Sequence, residues 1–244
     1  MRPPVLFIHG ASSHGGHFSS WVSLFSDAGY ECCAPSLPGH APVDQRALAR
    51  LTLGDYLAAV KSQADGLRAP PVIIGHSMGG LLAQHLAARI DCRALICVAS
   101  AAPWPMLIPQ MRALPFVLPM MPAMLAGRTI KASEAALRYL ALHDLPEEEQ
   151  RDLVPTFGAE SGRAYRAMMF GLAPLPGKPF AGPVLCLSGE RDRIISRRKS
   201  AAIARHYGAR HDVFWHGHWL IAASSARTIA GRALSWLEEV LATD

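Results

Sequence analysis

A hydroxyl stands between two glycines in the stretch GHSMGG, residues 75–80, at the point where one residue pattern gives way to another. The run before it, residues 72–75, is apolar and reads as a buried strand, while residues 78–89 are rich in Ala and Leu and read as a helix. A strand that turns straight into a helix at Ser77 puts that residue in a tight, positive-φ bend. Side chains at positions 75 and 79 would then meet the crossing backbone, which is why glycine is wanted at both. Such a bend projects the hydroxyl beyond the strand end. A serine hydroxyl is a poor nucleophile near neutral pH and needs an adjacent base. Histidines and carboxylates in comparable loops are therefore the residues to weigh: His9, His14 and His17 in HGASSHGGHFSSW, Glu190 and Asp192 in GERD, and His216 and His218 in HGHW.

Other chemistries fit these residues less well. The histidine spacing matches no common zinc pattern, and a Gly/Ser-rich loop is a poor scaffold for converging ligands. The glycines of the first tract lack both the Lys-Ser/Thr ending of a phosphate loop and the G-x-G-x-x-G order. No metal and no cofactor is expected. The five cysteines, 32, 33, 92, 97 and 186, lie in or beside apolar segments and read as small buried hydrophobes. A formal net charge of +5 comes from scattered basic residues. The one tight cluster, Arg197–Arg198–Lys199, opens a helical pattern and reads as a solvated face, so nucleic acid is not an expected partner.

These loops need elements to position them. Strand-like runs fall at residues 5–8, 31–34, 72–75, 94–99, 184–188 and 212–215, and helical patterns at 18–28, 53–67, 78–89, 196–207 and 219–241. The alternation implies an α/β protein, a mostly parallel sheet with helices on both faces, with ligands bound beyond the carboxyl ends of the strands. Residues 1–102 and 180–244 make up this core. Residues 103–179 break the rhythm: prolines recur, seven of the nine methionines fall between Met106 and Met169, and no strand is evident. This segment reads as an inserted helical cap whose adaptable methionines suit a pocket wall. No apolar run approaches the roughly 20 residues of a membrane span. With no signal-like cleavage site at the start, the expectation is a cytoplasmic protein without stable membrane insertion.

Four stretches in this order, FIHGASS, GHSMGG, LSGERDRIIS and HGHWL, each just after a strand-like run, make the chain resemble the α/β-hydrolase-fold enzymes, in particular serine esterases and lipases with a helical cap. The resemblance covers nearly the whole chain and is weakest in the cap. It implies that Ser77 is the nucleophile, His218 the general base and Asp192 the group that orients the imidazole, with His216 and Glu190 as their neighbouring rivals. It also implies an oxyanion hole from the backbone N–H groups of Ala11 and Met78, a loop-bracing role for His9, and a pocket-wall role for His76. One departure stands in CAPSLPGHAP. There the family usually has Asp at the position of Ser36, which braces the loop, and often Gly at that of Ala41. The activity implied is hydrolysis of carboxylic esters, thioesters and lactones included, of hydrophobic acyl or aromatic substrates through an acyl-enzyme. The alternatives are a C–C hydrolase, a hydroxynitrile lyase, an acyltransferase or a ligand receptor on the same fold. The lyases usually use a pocket lysine, for which Lys178 and Lys199 are the candidates.

Overall fold

The structure is a computed structural model that describes residues 2–41, 47–103, 111–171, 174 and 180–242. Its centre is a six-stranded sheet in the order β2-β1-β3-β4-β7-β8, parallel throughout. The strands are β1 (Val5–Ile8), β2 (Cys32–Cys33), β3 (Val72–His76), β4 (Ala94–Val98), β7 (Val184–Gly189) and β8 (Arg210–Phe214), while β5 (Thr129–Ile130) and β6 (Glu160–Ser161) form a separate antiparallel pair. The four central strands of the large sheet are buried along their whole length, as strands covered on both faces must be. Successive side chains feed two cores. Val5 and Phe7 of β1 face one side with Trp21 and Phe25 of α1 (Ser19–Asp27) and Trp236 and Leu237 near the C-terminus. Leu6 and Ile8 face the other with Tyr56 of α2 (Leu53–Asp65) and Leu81 of α3 (Met78–Ala87).

Helix starts follow local chemistry. Thr52 and Asp55 close a capping box at the head of α2, which satisfies two donors the helix cannot. The expected helix from 219 begins later: Trp219 to Ala222 form a turn, and the helix proper spans Ala223–Leu241. Among the described residues no helix is long and apolar enough to cross a membrane.

Between β4 and β7 the chain leaves the sheet. Here lie α4 (Leu114–Val117), α5 (Met121–Leu125), α6 (Glu134–Ala136), a π-turn at Leu137–Ala141, α7 (Glu147–Leu153) and α8 (Gly162–Met169). Beyond them come α9 (Arg197–Tyr207) and α10 (Ala223–Leu241). The absence of strands expected in this segment holds except for the two short ones, whose two-residue length leaves no periodicity to read. Met106, Pro105, Pro109 and Lys178 lie outside the described residues.

This excursion is tied to the core by apolar packing of Ala141, Leu142, Leu145 and Phe157 and by a buried polar cluster. Glu160, fully buried, accepts hydrogen bonds from Tyr56 Oη (2.7 Å), His40 Nε2 (2.9 Å), the Ser161 N–H (2.7 Å) and the Ser12 N–H (3.0 Å). His40 Nδ1 in turn donates to the Pro38 carbonyl at 3.1 Å. With acceptors at both ring nitrogens, only the imidazolium satisfies both contacts. Burial opposes that charge, but the Glu160 carboxylate outweighs it and holds the His40 pKa above its usual value.

Stability from this pair is complete below the unfolded-state pKa of about 6.5 and is lost as pH rises through the higher folded-state pKa. Breaking a buried pair by removing one partner costs about 3–5 kcal/mol. Urea unfolding of wild type and Glu160→Gln at about pH 5.5 and about pH 9 is expected to show a wide stability gap in acid and a narrower one in alkali. An equal gap at both would exclude a charged pair.

Candidate active site

Ser77 sits at φ 54°, ψ −119°, between the end of β3 and the first residue of α3. The bend is as tight as the sequence requires. A Cβ at position 75 would strike the Gly79 carbonyl, and one at 79 would strike the carbonyls of Ile8 and His9. No rearrangement of a side chain relieves contacts with backbone, so both positions demand glycine. The strain at Ser77 is held by four backbone bonds: its N–H to the Val98 carbonyl, and the N–H groups of Gly80, Leu81 and Ala101 to its own carbonyl.

His218 and Asp192 come to the same end of the sheet from the loops after β8 and β7. His218 Nδ1 donates to Asp192 Oδ2 at 2.8 Å, with both residues buried. The other carboxylate oxygen, Oδ1, accepts the backbone N–H groups of Ile194 (2.7 Å) and Ile195 (2.8 Å). Asp192 is thereby fixed in position, and it fixes the His218 tautomer so that Nε2 is the atom free to accept a proton. Ser77 and His218 both line one cavity of about 400 Å³. Among the described residues the Ser77 hydroxyl makes no hydrogen bond. In substrate-free enzymes, catalytic hydrogen bonds are commonly long and tighten with substrate.

The neighbouring histidines are held neutral. His76 donates from Nε2 to the His218 carbonyl at 3.0 Å, and burial, aided by the nearness of His218, pushes its pKa down to about 3. Burial, with His14 close by, does the same to His17, which bridges Ser13 Oγ (2.6 Å) and Thr156 Oγ1 (2.7 Å). Neither ring competes with His218 for a proton at neutral pH. Trp219 packs edge-on against both His17 and His76, pinning the loop that carries His218.

The remaining sequence candidates separate clearly. His9 accepts the Leu37 N–H at Nε2 (2.8 Å) and donates from Nδ1 to the Gly10 carbonyl (2.8 Å), bracing its loop as expected. His216 lies outward with Asp144 at 3.4 Å, and Glu190 is on the surface paired with Arg197 at 3.0 Å. Ser36 does brace the loop despite replacing an aspartate: its Oγ accepts the Gly15 N–H at 3.2 Å. The Ala11 N–H has no backbone acceptor among the described residues, and Ala11 lines the cavity. The Met78 side chain is fully buried, leaving its N–H at the unpaired start of α3.

Two residues near the site escape a sequence reading, and a third, Lys199, admits two. Glu160 holds Ser12, next to Ala11. Asp144 accepts the Gly217 N–H at 2.5 Å, gripping the loop between His216 and His218. Lys199, expected on a solvated face with Arg197 and Arg198 but also a candidate pocket lysine for the lyase alternative, turns inward and lines the cavity. Most of the cavity wall is apolar and comes from residues 113–170. Met120, Met168 and Met169 line it as the composition implied, whereas Met124 packs in the interior and Met111 faces outward.

The family model described as "Alpha/beta hydrolase family" matches residues 5–231. The magnesium-chelatase 30 kDa subunit of Rhodobacter capsulatus is 26% identical over 248 residues, spanning 97% of this chain and 87% of that protein. The pimeloyl-[acyl-carrier protein] methyl ester esterase of Xanthomonas oryzae pv. oryzae is 29% identical over 169 residues, which is 68% of this chain but only 50% of that one. A crystal structure of a pyrethroid hydrolase from Sphingobium faniae superposes with a TM-score of 0.75 at 21% identity, covering 97% of each chain, a likeness of fold.

Gly79→Ala tests the elbow directly. Overpacking against the Ile8 and His9 carbonyls is expected to cost about 1–3 kcal/mol or more in urea unfolding. Labelling of Ser77 by a fluorophosphonate should slow in the same variant. Unchanged stability would show that the two backbones do not cross at this distance.

Proposed function

The chain belongs to the α/β-hydrolase family, and on that premise we propose that it is a serine hydrolase that cleaves carboxylic esters of hydrophobic acyl or aromatic substrates through an acyl-enzyme. The observation that carries the reading is the convergence on one apolar cavity of Ser77, strained at a strand-to-helix bend, and His218, locked by Asp192 at 2.8 Å. His218 takes the Ser77 proton as Oγ attacks the ester carbonyl, and Asp192 stabilises the resulting imidazolium. The oxyanion is received by the N–H groups of Ala11 and Met78, the second strengthened by the dipole of α3; one such donor is worth about 3–4 kcal/mol in the transition state. His218 returns the proton to the leaving alcohol, and water then releases the acid by the same route. Residues 103–179 act as the cap that walls the acyl pocket. A relative named as a methyl ester esterase fits this activity. The five free cysteines suit the reducing cytoplasm.

A second reading, a lyase on the same fold, draws support from Lys199 on the cavity wall. Lys178, the other lysine considered, lies outside the described residues. A screen of products from cyanohydrins and esters separates the two.

Turnover of p-nitrophenyl esters of increasing acyl length is expected to fall by a factor on the order of 10⁴ or more in Ser77→Ala and His218→Ala. Asp192→Asn should lose activity through the wrong tautomer, and His216→Ala should keep most of it. Full activity in Ser77→Ala would end the acyl-enzyme reading.

A further inference from the structure

Lys199 brings a charge to a cavity whose described wall is mostly apolar. It occupies the first turn of α9, two residues after the surface-paired Arg197, yet it is only 9% exposed and lines the cavity shared by Ser77 and His218. Among the described residues no other lysine or arginine lines that cavity. Lys199 has neither a hydrogen bond nor an ion pair from its ammonium to any described residue. The carboxylate that acts on it electrostatically is Asp192, whose two oxygens are already taken by His218 Nδ1 and by the N–H groups of Ile194 and Ile195. Burial lowers the Lys199 pKa and the Asp192 charge opposes that fall.

An ammonium on a largely apolar cavity wall, with no protein partner, loses part of its solvation, and that cost is offset when an anion binds beside it. Resting on the esterase reading above, we propose that Lys199 is a specificity residue that pairs with a carboxylate carried by the substrate, so that the preferred substrate is a hydrophobic ester bearing a second, anionic group. One compact ammonium in a cavity whose wall also carries Ile194, Ile195 and Met169 matches a singly charged group. A phosphate dianion would need further cationic donors, and among the described residues no other lysine or arginine lines the cavity. The hydrophobic stretch between ester and carboxylate then lies along the apolar wall while the ester carbonyl reaches Ser77.

Two pairs of esters test this. Monomethyl adipate against dimethyl adipate places the charge on the acyl side; ω-acetoxyhexanoate against its methyl ester places it on the alcohol side. The wild type is expected to favour the charged member of at least one pair in kcat/KM by about tenfold or more. Lys199→Met should abolish that ratio and Lys199→Arg should retain part of it. Because the readout is a ratio within one protein, a general loss of activity in a variant does not imitate the effect. No preference in either pair, or the same ratio in Lys199→Met, overturns the proposal. If the wild type hydrolyses none of the four, the esterase reading fails separately. Adipate titrated calorimetrically into wild type and Lys199→Met then decides the anion site. Binding lost in the variant upholds it, and equal or absent binding in both refutes it.

Discussion

The backbone of α3 crosses the carbonyls of Ile8 and His9 so closely that no side-chain carbon fits between them. Much else at the carboxyl end of the sheet follows from that crossing. It forces Ser77 into its positive-φ bend, which in turn aims the hydroxyl out of the sheet and leaves the first N–H of α3 without a partner. It also brings the loop after β1 against the same helix start, so Gly10 packs on Ser77 and Ala11 borders the cavity. A serine hydroxyl and two backbone N–H groups are thus arranged by a steric fact about two glycines, before any side-chain hydrogen bond of the site is considered.

The hydrogen bonds then hold the surrounding loops from two sides. From the sheet side, Asp192 fixes the His218 ring. From the excursion between β4 and β7, two further buried carboxylates reach across: Glu160 to the loop after β1, and Asp144 to the loop before His218. Each satisfies a backbone donor that would otherwise be buried unpaired, a loss of about 1–3 kcal/mol. The segment that walls the pocket is therefore also a buttress for the loops that surround Ser77. Neutral His17 and His76, packed on Trp219, complete that support without adding positive charge beside His218.

Legibility in the sequence followed the range of the interaction. Ser77, Asp192 and His218 each lie just after a strand whose apolar run is plain, and the glycines around Ser77 signal their own geometry; these were readable. The two faces of the sheet were readable for the same reason, since β1 feeds Phe7 to one core and Ile8 to the other. Glu160 was not, because its partners Ser12 and Tyr56 are 148 and 104 residues away and nothing in AESGR marks it. Asp144, 73 residues from Gly217, is hidden in the same way. Lys199 misled for a different reason. Three adjacent basic residues look like one patch, but successive helical positions are rotated by about 100° and need not share a face. The position of Trp219 in a turn was also obscured, since its apolar neighbours continue the periodicity of α10 backwards.

Glu160 and Asp144 bear on how such a scaffold can be given a new pocket. The helices that carry the apolar wall are short and joined by turns, and α4 to α6 make few polar commitments to the sheet. The stretches around 144 and 160, by contrast, are hydrogen-bonded into the loops of the core. A transplanted lid from another hydrolase would bring its own wall, but without carboxylates at these two places it would leave the Ser12 and Gly217 amides stranded. Grafts that exchange residues 111–141 and keep 142–164 would respect this division between a replaceable lining and a fixed hinge post.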